Sequence, residues 1–194
     1  LPAEVGGNAL AHLDQAVVVE ELAWGCAAVA TSIVANDLAN LPIELGGTEE
    51  QRQRLLAPFV GGLRFASFCL TEPEAGSDVA GMATSARRVG EDYVLNGSKC
   101  FITNGGVADQ YVVFATTDRA AKHKGIGCFV VEGRPAGLTV GRHENKMGQR
   151  ASNTVALTFE DVVVPARNRI GGEGQGFDLA MRTLDNSRPL TAAM

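Results

Sequence analysis

The chain has 194 residues, 45% of them hydrophobic and 20% charged, with a formal net charge of −5. That balance belongs to an ordinary globular protein with a sizeable core, and its acidic sign withholds the electrostatic support that nucleic-acid binding needs. No uninterrupted apolar run nears the roughly 20 residues of a membrane span, and the opening LPAEVGGNAL lacks the basic start and apolar core of a signal peptide.

Residues 1 to about 60 read as helical. LDQAVVVEELAWGCAAVATSIVANDLAN is rich in Ala, Leu and Glu and apolar nearly all round, which predicts a well-buried helix. GTEEQRQRLLAPFV opens on Thr48 with Gln51 three residues on, the pattern of a capping box, and Pro58 ends or bends the helix that follows. The character changes at Leu63. GGLRFASFCL predicts a buried strand, and CLTEPEAGSD then breaks it with three acids, a proline and a glycine. In YVLNGSKCFITNG, Asn96-Gly97 between two β-prone runs predicts a hairpin turn. QYVVFATT, GIGCFVVE, GLTVGR and NTVALTFEDVVVP follow as short strands, a spacing that suggests an antiparallel barrel or sandwich. From Gly176 the period turns helical again, with Phe177, Ala180, Met181 and Leu184 on one face. Helices, then strands, then a helix make an α+β protein. The boundaries expected are 1–62 for a helical domain, 63–168 for a β-domain and 169–194 for the start of a second helical domain. An opening residue other than Met, and an end inside a helical pattern at RPLTAAM, predict a piece of a longer protein.

Metal and disulfide chemistry find little support. Cys26, Cys69, Cys100 and Cys128 are widely spaced, which fits buried thiols in a reducing compartment, and His12, His123 and His143 make no ligand pattern. GGEGQGF precedes a helix, but Phe177 stands where the last glycine of G-x-G-x-x-G belongs, so it reads as a flexible connection. Glu72, Glu74 and Asp78 read as a solvated acidic turn, and Arg150 in NKMGQRAS as a solvated strand-end charge. Asp185 and Arg188, three apart on a helix, read as a surface ion pair. CLTEPEAGSD and FITNGG are more suggestive together. Each carries an apolar run, a threonine (Thr71, Thr103) and a glycine-containing turn, a combination able to present hydroxyls and backbone N–H groups to a planar polar-edged ring or a phosphate.

CLTEPEAGSDVAGM, NGSKCFITNGG, KMGQRASNT, FEDVVVP and GGEGQGF…LDNSRP, in this order, closely resemble the acyl-CoA dehydrogenase family, and ELAWGCAAVATSIVANDLANLPI looks most like its medium-chain branch. The resemblance implies a helical N-terminal domain, a middle β-domain and the first helix of a C-terminal four-helix bundle. It implies FAD as cofactor, bordered by Phe68, Cys69, Leu70, Thr71, Gly76 and Ser77, with the Leu70–Thr71 backbone and the Thr71 hydroxyl at the pyrimidine edge. Phe101, Ile102 and Thr103 would cover the other side, with the Thr103 hydroxyl near N5. Phe101 stands where several members have Trp. Ser77, Asp185 and Arg188 would line the acyl-CoA site. The reaction implied is α,β-dehydrogenation of acyl-CoA thioesters to trans-2-enoyl-CoA, with electrons passed to an electron-transfer flavoprotein. The full-length form is expected to be a homodimer or homotetramer in the bacterial cytoplasm or the mitochondrial matrix.

One departure from the family pattern concerns the base. In most members the glutamate that removes the α-proton lies well beyond the position of Met194, and in the isovaleryl and long-chain branches it sits where this chain has Ser187. The resemblance therefore implies no base within residues 1–194 and places it after Met194. Three readings stay open at this level: the dehydrogenase, a related flavin oxidase or monooxygenase, and a non-catalytic, base-less subunit of a larger assembly.

Overall fold

The computed structural model describes residues 1–194. Helix α1 spans His12–Gly46 and changes direction at Cys26, whose backbone is extended (φ −164°, ψ 106°). Helix α2, Glu49–Leu56, starts as the sequence predicts. Thr48 Oγ1 accepts from the Gln51 N–H, the Gln51 side chain accepts from the Thr48 N–H, and a single turn at Ala57–Phe59 carrying Pro58 closes the segment.

The strands are β1 Ala66–Cys69, β2 Ser85–Val89, β3 Asp92–Thr103, β4 Gln110–Thr116, β5 Ile126–Glu132, β6 Leu138–His143, β7 Thr154–Pro165 and β8 Arg169–Ile170. They join in one sheet of order β6-β7-β3-β2-β4-β5-β8, with β1 added beside β4. β2–β3, β3–β7, β4–β5, β5–β8 and β6–β7 are antiparallel, as expected from the short spacings, whereas β1–β4 and β2–β4 are parallel. Helix α3, Gly176–Ala192, returns the chain to α1.

Strand alternation divides the interior into two cores. Tyr111, Val113 and Ala115 of β4 join Phe129 and Val131 of β5 in a core on one face of the sheet. Val112 and Phe114, with Cys128 and Val130, face the other way, toward Ile43 of α1, Leu55 and Leu56 of α2, and Leu179 and Ala180 of α3. All seven residues of β4 are buried for this reason. On β1 the same alternation sends Cys69 into the first core while Phe68 and Leu70 face the helices. At the far end of α3, Leu190 and Met194 pack on Val19 and Val34 of α1 in a third, smaller cluster.

Three expectations need correction. Asn96-Gly97 is not a turn, because β3 runs straight through it. The register against β7 shifts between Leu95 and Gly97, which makes a bulge with Gly97 at φ +147°, and the β2–β3 hairpin instead turns at Gly90 (φ +61°) and Glu91. Helix α1 is not well buried over its first half. Trp24 is 90% exposed and Leu13 76%, while burial is concentrated in the second half at Ala28, Ala30, Val34, Ala35, Ala39 and Ile43. Finally, α1 is by length and composition apolar enough to cross a membrane. Glu20, Glu21 and Asp37 interrupt its apolar pattern, so the sequence shows no unbroken run of that length.

Candidate functional site

A cavity of about 450 Å³ opens where β1 ends, between the 70–79 loop, the end of β3, α1 and α3. Phe68, Leu70, Thr71, Gly76, Ser77, Phe101, Ile102, Thr103 and Arg188 line it together with Ala35, Leu38, Met181 and Leu184. Eight of the nine residues expected to border a flavin thus share one concave surface. Cys69 is the exception: its side chain points into the sheet core, and burial pushes its thiol up to about 12.

The loop is built on a tight turn. Glu72 N–H donates to Ala75 O and Ala75 N–H to Glu72 O, with Pro73 and Glu74 at the tip. Glu74 and Asp78 are exposed, as an acidic turn predicts. Glu72 is not. It is 4% exposed, its carboxylate takes N–H groups of Ala83 (2.5 Å) and Thr84 (3.0 Å), and Lys99 Nζ lies 2.7 Å away with its side chain wholly buried. Lys99 Nζ also donates to Leu70 O at 3.0 Å, and Cys100 N–H to Thr71 O at 3.0 Å. Burial works against both charges. For Glu72 the adjacent ammonium and the two backbone donors outweigh it and hold the carboxyl below the usual range; for Lys99, burial brings the ammonium below the usual lysine range against the pull of Glu72.

On the opposite wall, a bulge in β3 between Lys99 and Ile102 puts Phe101 at φ +57°, a conformation that costs an aromatic residue energy and is kept only where the surroundings enforce it. The bulge turns the Phe101 ring out of the sheet into the cavity mouth, 66% exposed. Thr103 follows, its carbonyl held by Ser67 Oγ at 3.0 Å. Asn104 (φ +62°) ties this wall to α1 through Ser32 O at 2.9 Å.

The Thr71, Ser77 and Thr103 hydroxyls and the Thr71 N–H make no hydrogen bond within the chain, although all belong to residues lining the cavity. Free donors set among apolar walls are what a flat ring with polar edges requires. The residues therefore fit the flavin that the sequence blocks imply, although the Ile102 side chain, like that of Cys69, is buried in the sheet core, so Ile102 borders the cavity through its backbone. No carboxylate or imidazole lines this cavity.

Arg188 lines the cavity edge and pairs with Asp185 at 2.8 Å; both side chains are 69% exposed, and Asp185 itself is not part of the lining. Ser187 lies elsewhere. It lines a neighbouring cavity of about 480 Å³ with His12, Val34, Asp37 and Leu38, and Leu38 borders both spaces. Its hydroxyl donates to Leu184 O at 3.1 Å and has no hydrogen bond to His12 or Asp37, so nothing activates it as a base. Met194, after which the resemblance places the base, lines neither cavity: its thioether accepts from Thr31 Oγ1 of α1 at 3.9 Å. The chain therefore passes this cavity at Arg188 and packs on α1 at Met194, without bringing an acid to the cavity wall. Lys99 and the inward turn of Glu72 escape sequence reading, since a lysine two residues after Gly97 and an acid in a loop both look solvated.

The family profile described as "Acyl-CoA dehydrogenase, N-terminal domain" matches residues 1–62, and that described as "Acyl-CoA dehydrogenase, middle domain" matches residues 67–162. A short-chain-specific acyl-CoA dehydrogenase of Clostridium acetobutylicum is 46% identical over 184 residues, covering 94% of this chain and 48% of the relative. Among solved structures, butyryl-CoA dehydrogenase from Megasphaera elsdenii superposes with a TM-score of 0.95 at 44% identity, covering 100% of this chain and 52% of the other. An acyl-CoA dehydrogenase complexed with FAD from Bacillus anthracis does so with a TM-score of 0.91 at 35% identity, covering 100% and 33%. These names do not repeat the medium-chain likeness of the helical start. The chain spans about half the length of the curated relatives it matches. Matched along both its helical start and its sheet, and superposing over its whole length, the chain belongs to the acyl-CoA dehydrogenase family.

Proposed function

We propose that the protein carrying this chain is an FAD-dependent acyl-CoA dehydrogenase, converting an acyl-CoA thioester to its trans-2-enoyl-CoA. The observation that carries the reading is the cavity at the end of β1, where free hydroxyl and N–H donors share one space with apolar walls. FAD, when bound, supplies the hydride acceptor. This chain's residues hold and orient. Phe68 and Phe101, with the backbone at Ile102, would hold the ring, the Thr71 hydroxyl and N–H would serve its pyrimidine edge, and the Thr103 hydroxyl would serve N5. Ser77 and Arg188 serve the CoA ester, with Asp185 setting the Arg188 guanidinium. The cavity lining holds no carboxylate or imidazole, which supports the expectation that the base lies outside positions 1–194.

The same reading carries electron-transfer flavoprotein as electron acceptor, assembly as a dimer or tetramer, and a bacterial cytoplasmic or mitochondrial matrix setting, supported by the resemblance of the five sequence blocks. The test is anaerobic addition of saturated acyl-CoAs of graded length to the full-length, FAD-loaded protein. Bleaching of the main flavin band is expected with at least one of them. A flavin that stays oxidised across the whole panel rejects the dehydrogenase reading.

A further inference from the structure

We infer that the buried Lys99–Glu72 pair is a positioning device that aims and polarises the Thr71 N–H toward the bound flavin. The inference rests on the flavin reading above and goes beyond it, to residues that do not line the cavity.

The geometry follows from one peptide unit. β1 ends at Cys69, so the Leu70 carbonyl has no strand partner and is taken instead by Lys99 Nζ at 3.0 Å, on the buried side of the loop. The peptide between Leu70 and Thr71 is trans and planar, so its N–H points opposite its C=O. Holding Leu70 O inward toward Lys99 therefore turns the Thr71 N–H away from the core, and that N–H has no partner in the chain. The neighbouring carbonyl, Thr71 O, is fixed in its turn by the Cys100 N–H, so the peptides on both sides of Thr71 are tied to residues 99 and 100 of β3.

A neutral group at position 99 would serve folding as well or better, because a buried ion pair is commonly no more stabilising than well-packed apolar residues of the same volume. What a neutral apolar group cannot do is polarise the peptide. An ammonium on the carbonyl withdraws electron density through the amide and makes the N–H at its other end a stronger donor. Glu72 favours the charged form of that lysine against its burial and holds it in place. Its carboxylate is anchored by the Ala83 and Thr84 N–H groups at 2.5 and 3.0 Å, which leaves Lys99 little freedom to swing away from Leu70 O. A donor strengthened at the pyrimidine edge favours reduced over oxidised flavin, since reduction concentrates negative charge there.

The test compares the full-length protein with the double variant Glu72→Gln/Lys99→Met, which keeps volume but removes both charges and the donor to Leu70 O. Three quantities are read: thermal unfolding, the FAD dissociation constant and the reduction potential of bound FAD. The expected result is a folded protein whose preference for reduced over oxidised flavin falls about tenfold, a shift of about 30 mV for this two-electron couple. Glu72→Gln/Lys99→Gln keeps a neutral donor at position 99 and is expected to shift less. A folded Met variant with the parent's potential and FAD affinity overturns the inference, as does a Gln variant shifted as far as the Met one. If the parent itself binds no FAD, the flavin reading has failed instead, so the two failures are told apart by the parent alone.

Discussion

Gly97 of β3 and Thr84 are packed backbone to backbone: a Cβ built on Gly97 would stand 2.5 Å from Thr84 Oγ1 and 2.6 Å from Thr84 Cα. The contact matters to the site because Thr84 N–H is one of the groups that hold Glu72. Gly97 also sits at φ +147°, where a side chain is strained whatever the space. Gly97→Ala is therefore expected to destabilise the β-domain by about 2–4 kcal/mol, combining backbone strain with overpacking. Urea unfolding would measure it, and a change below about 0.5 kcal/mol would show that Thr84 moves aside at no cost.

The Glu72–Lys99 pair predicts how stability responds to acid. The Glu72 carboxyl lies below its usual range in the folded state, because the Lys99 ammonium and two N–H donors outweigh its desolvation. A carboxyl of that kind contributes stability that is complete above its unfolded pKa, about 4.3, and is lost as pH falls through the lower folded value. Melting temperature should drop as the solution is taken below about pH 4. Glu72→Gln should flatten part of that slope while costing about 3–5 kcal/mol at pH 7, where it strands the Lys99 charge. Thermal scans from pH 3 to 7 on both proteins give the answer, and parallel curves would count against the pairing.

Arg188 offers the opposite case, a charge proposed to serve the substrate but with little structural weight. Its bond to Asp185 joins two side chains that are each 69% exposed, and such pairs contribute roughly 0–1 kcal/mol. Arg188→Ala should leave the melting temperature within a few degrees of the parent. If the guanidinium serves the CoA ester, the same change should raise the KM for acyl-CoA about tenfold or more in the full-length protein. Unchanged steady-state kinetics would return Arg188 to the ordinary surface.

How far the sequence reveals this site depends on which signals are local. The order helix, strand, helix is legible because period and turn residues change sharply at Leu63 and again at Gly176. The cavity wall is legible for a different reason: Thr71 and Thr103 each follow an apolar run, and the fold lays the two runs side by side, with the Cys100 N–H donating to Thr71 O. Asn96-Gly97 misleads because Asn-Gly describes only what the backbone tolerates. The same left-handed freedom that makes a hairpin turn also makes a bulge, and the close approach of Thr84, distant in the local pattern, decides for the bulge. The apolar character of α1 likewise states a tendency to be covered without saying by what, and within this chain Trp24 and Leu13 remain in solvent. Lys99 is the least legible of all. Its burial follows from a strand face fixed by pairing with β7 and from an acid 27 residues earlier folding inward to meet it.

Thr103 carries the most direct test of the proposed chemistry. Its hydroxyl has no partner in the chain, while its backbone is held twice over, by Ser67 Oγ on its carbonyl and by β7 through the Thr103–Thr154 pairing. Removing the hydroxyl should therefore leave the strand undisturbed, and Thr103→Ala should unfold within about 1 kcal/mol of the parent. One neutral hydrogen bond contributes about 0.5–1.5 kcal/mol, a small share of the affinity for a cofactor as large as FAD, so its dissociation constant should rise less than about tenfold. The rate of flavin reduction should suffer more. A donor placed where charge and bonding change in the transition state is worth about 10²–10³ in rate in well-organised sites, and a loss of at least tenfold is expected here. Stopped-flow reduction by acyl-CoA and FAD titration of the same full-length variant separate the two effects. Reduction as fast as in the parent would make Thr103 a strand residue that happens to face the cavity. A loss of FAD affinity larger than the loss of rate would assign its hydroxyl to holding the cofactor and not to the reaction.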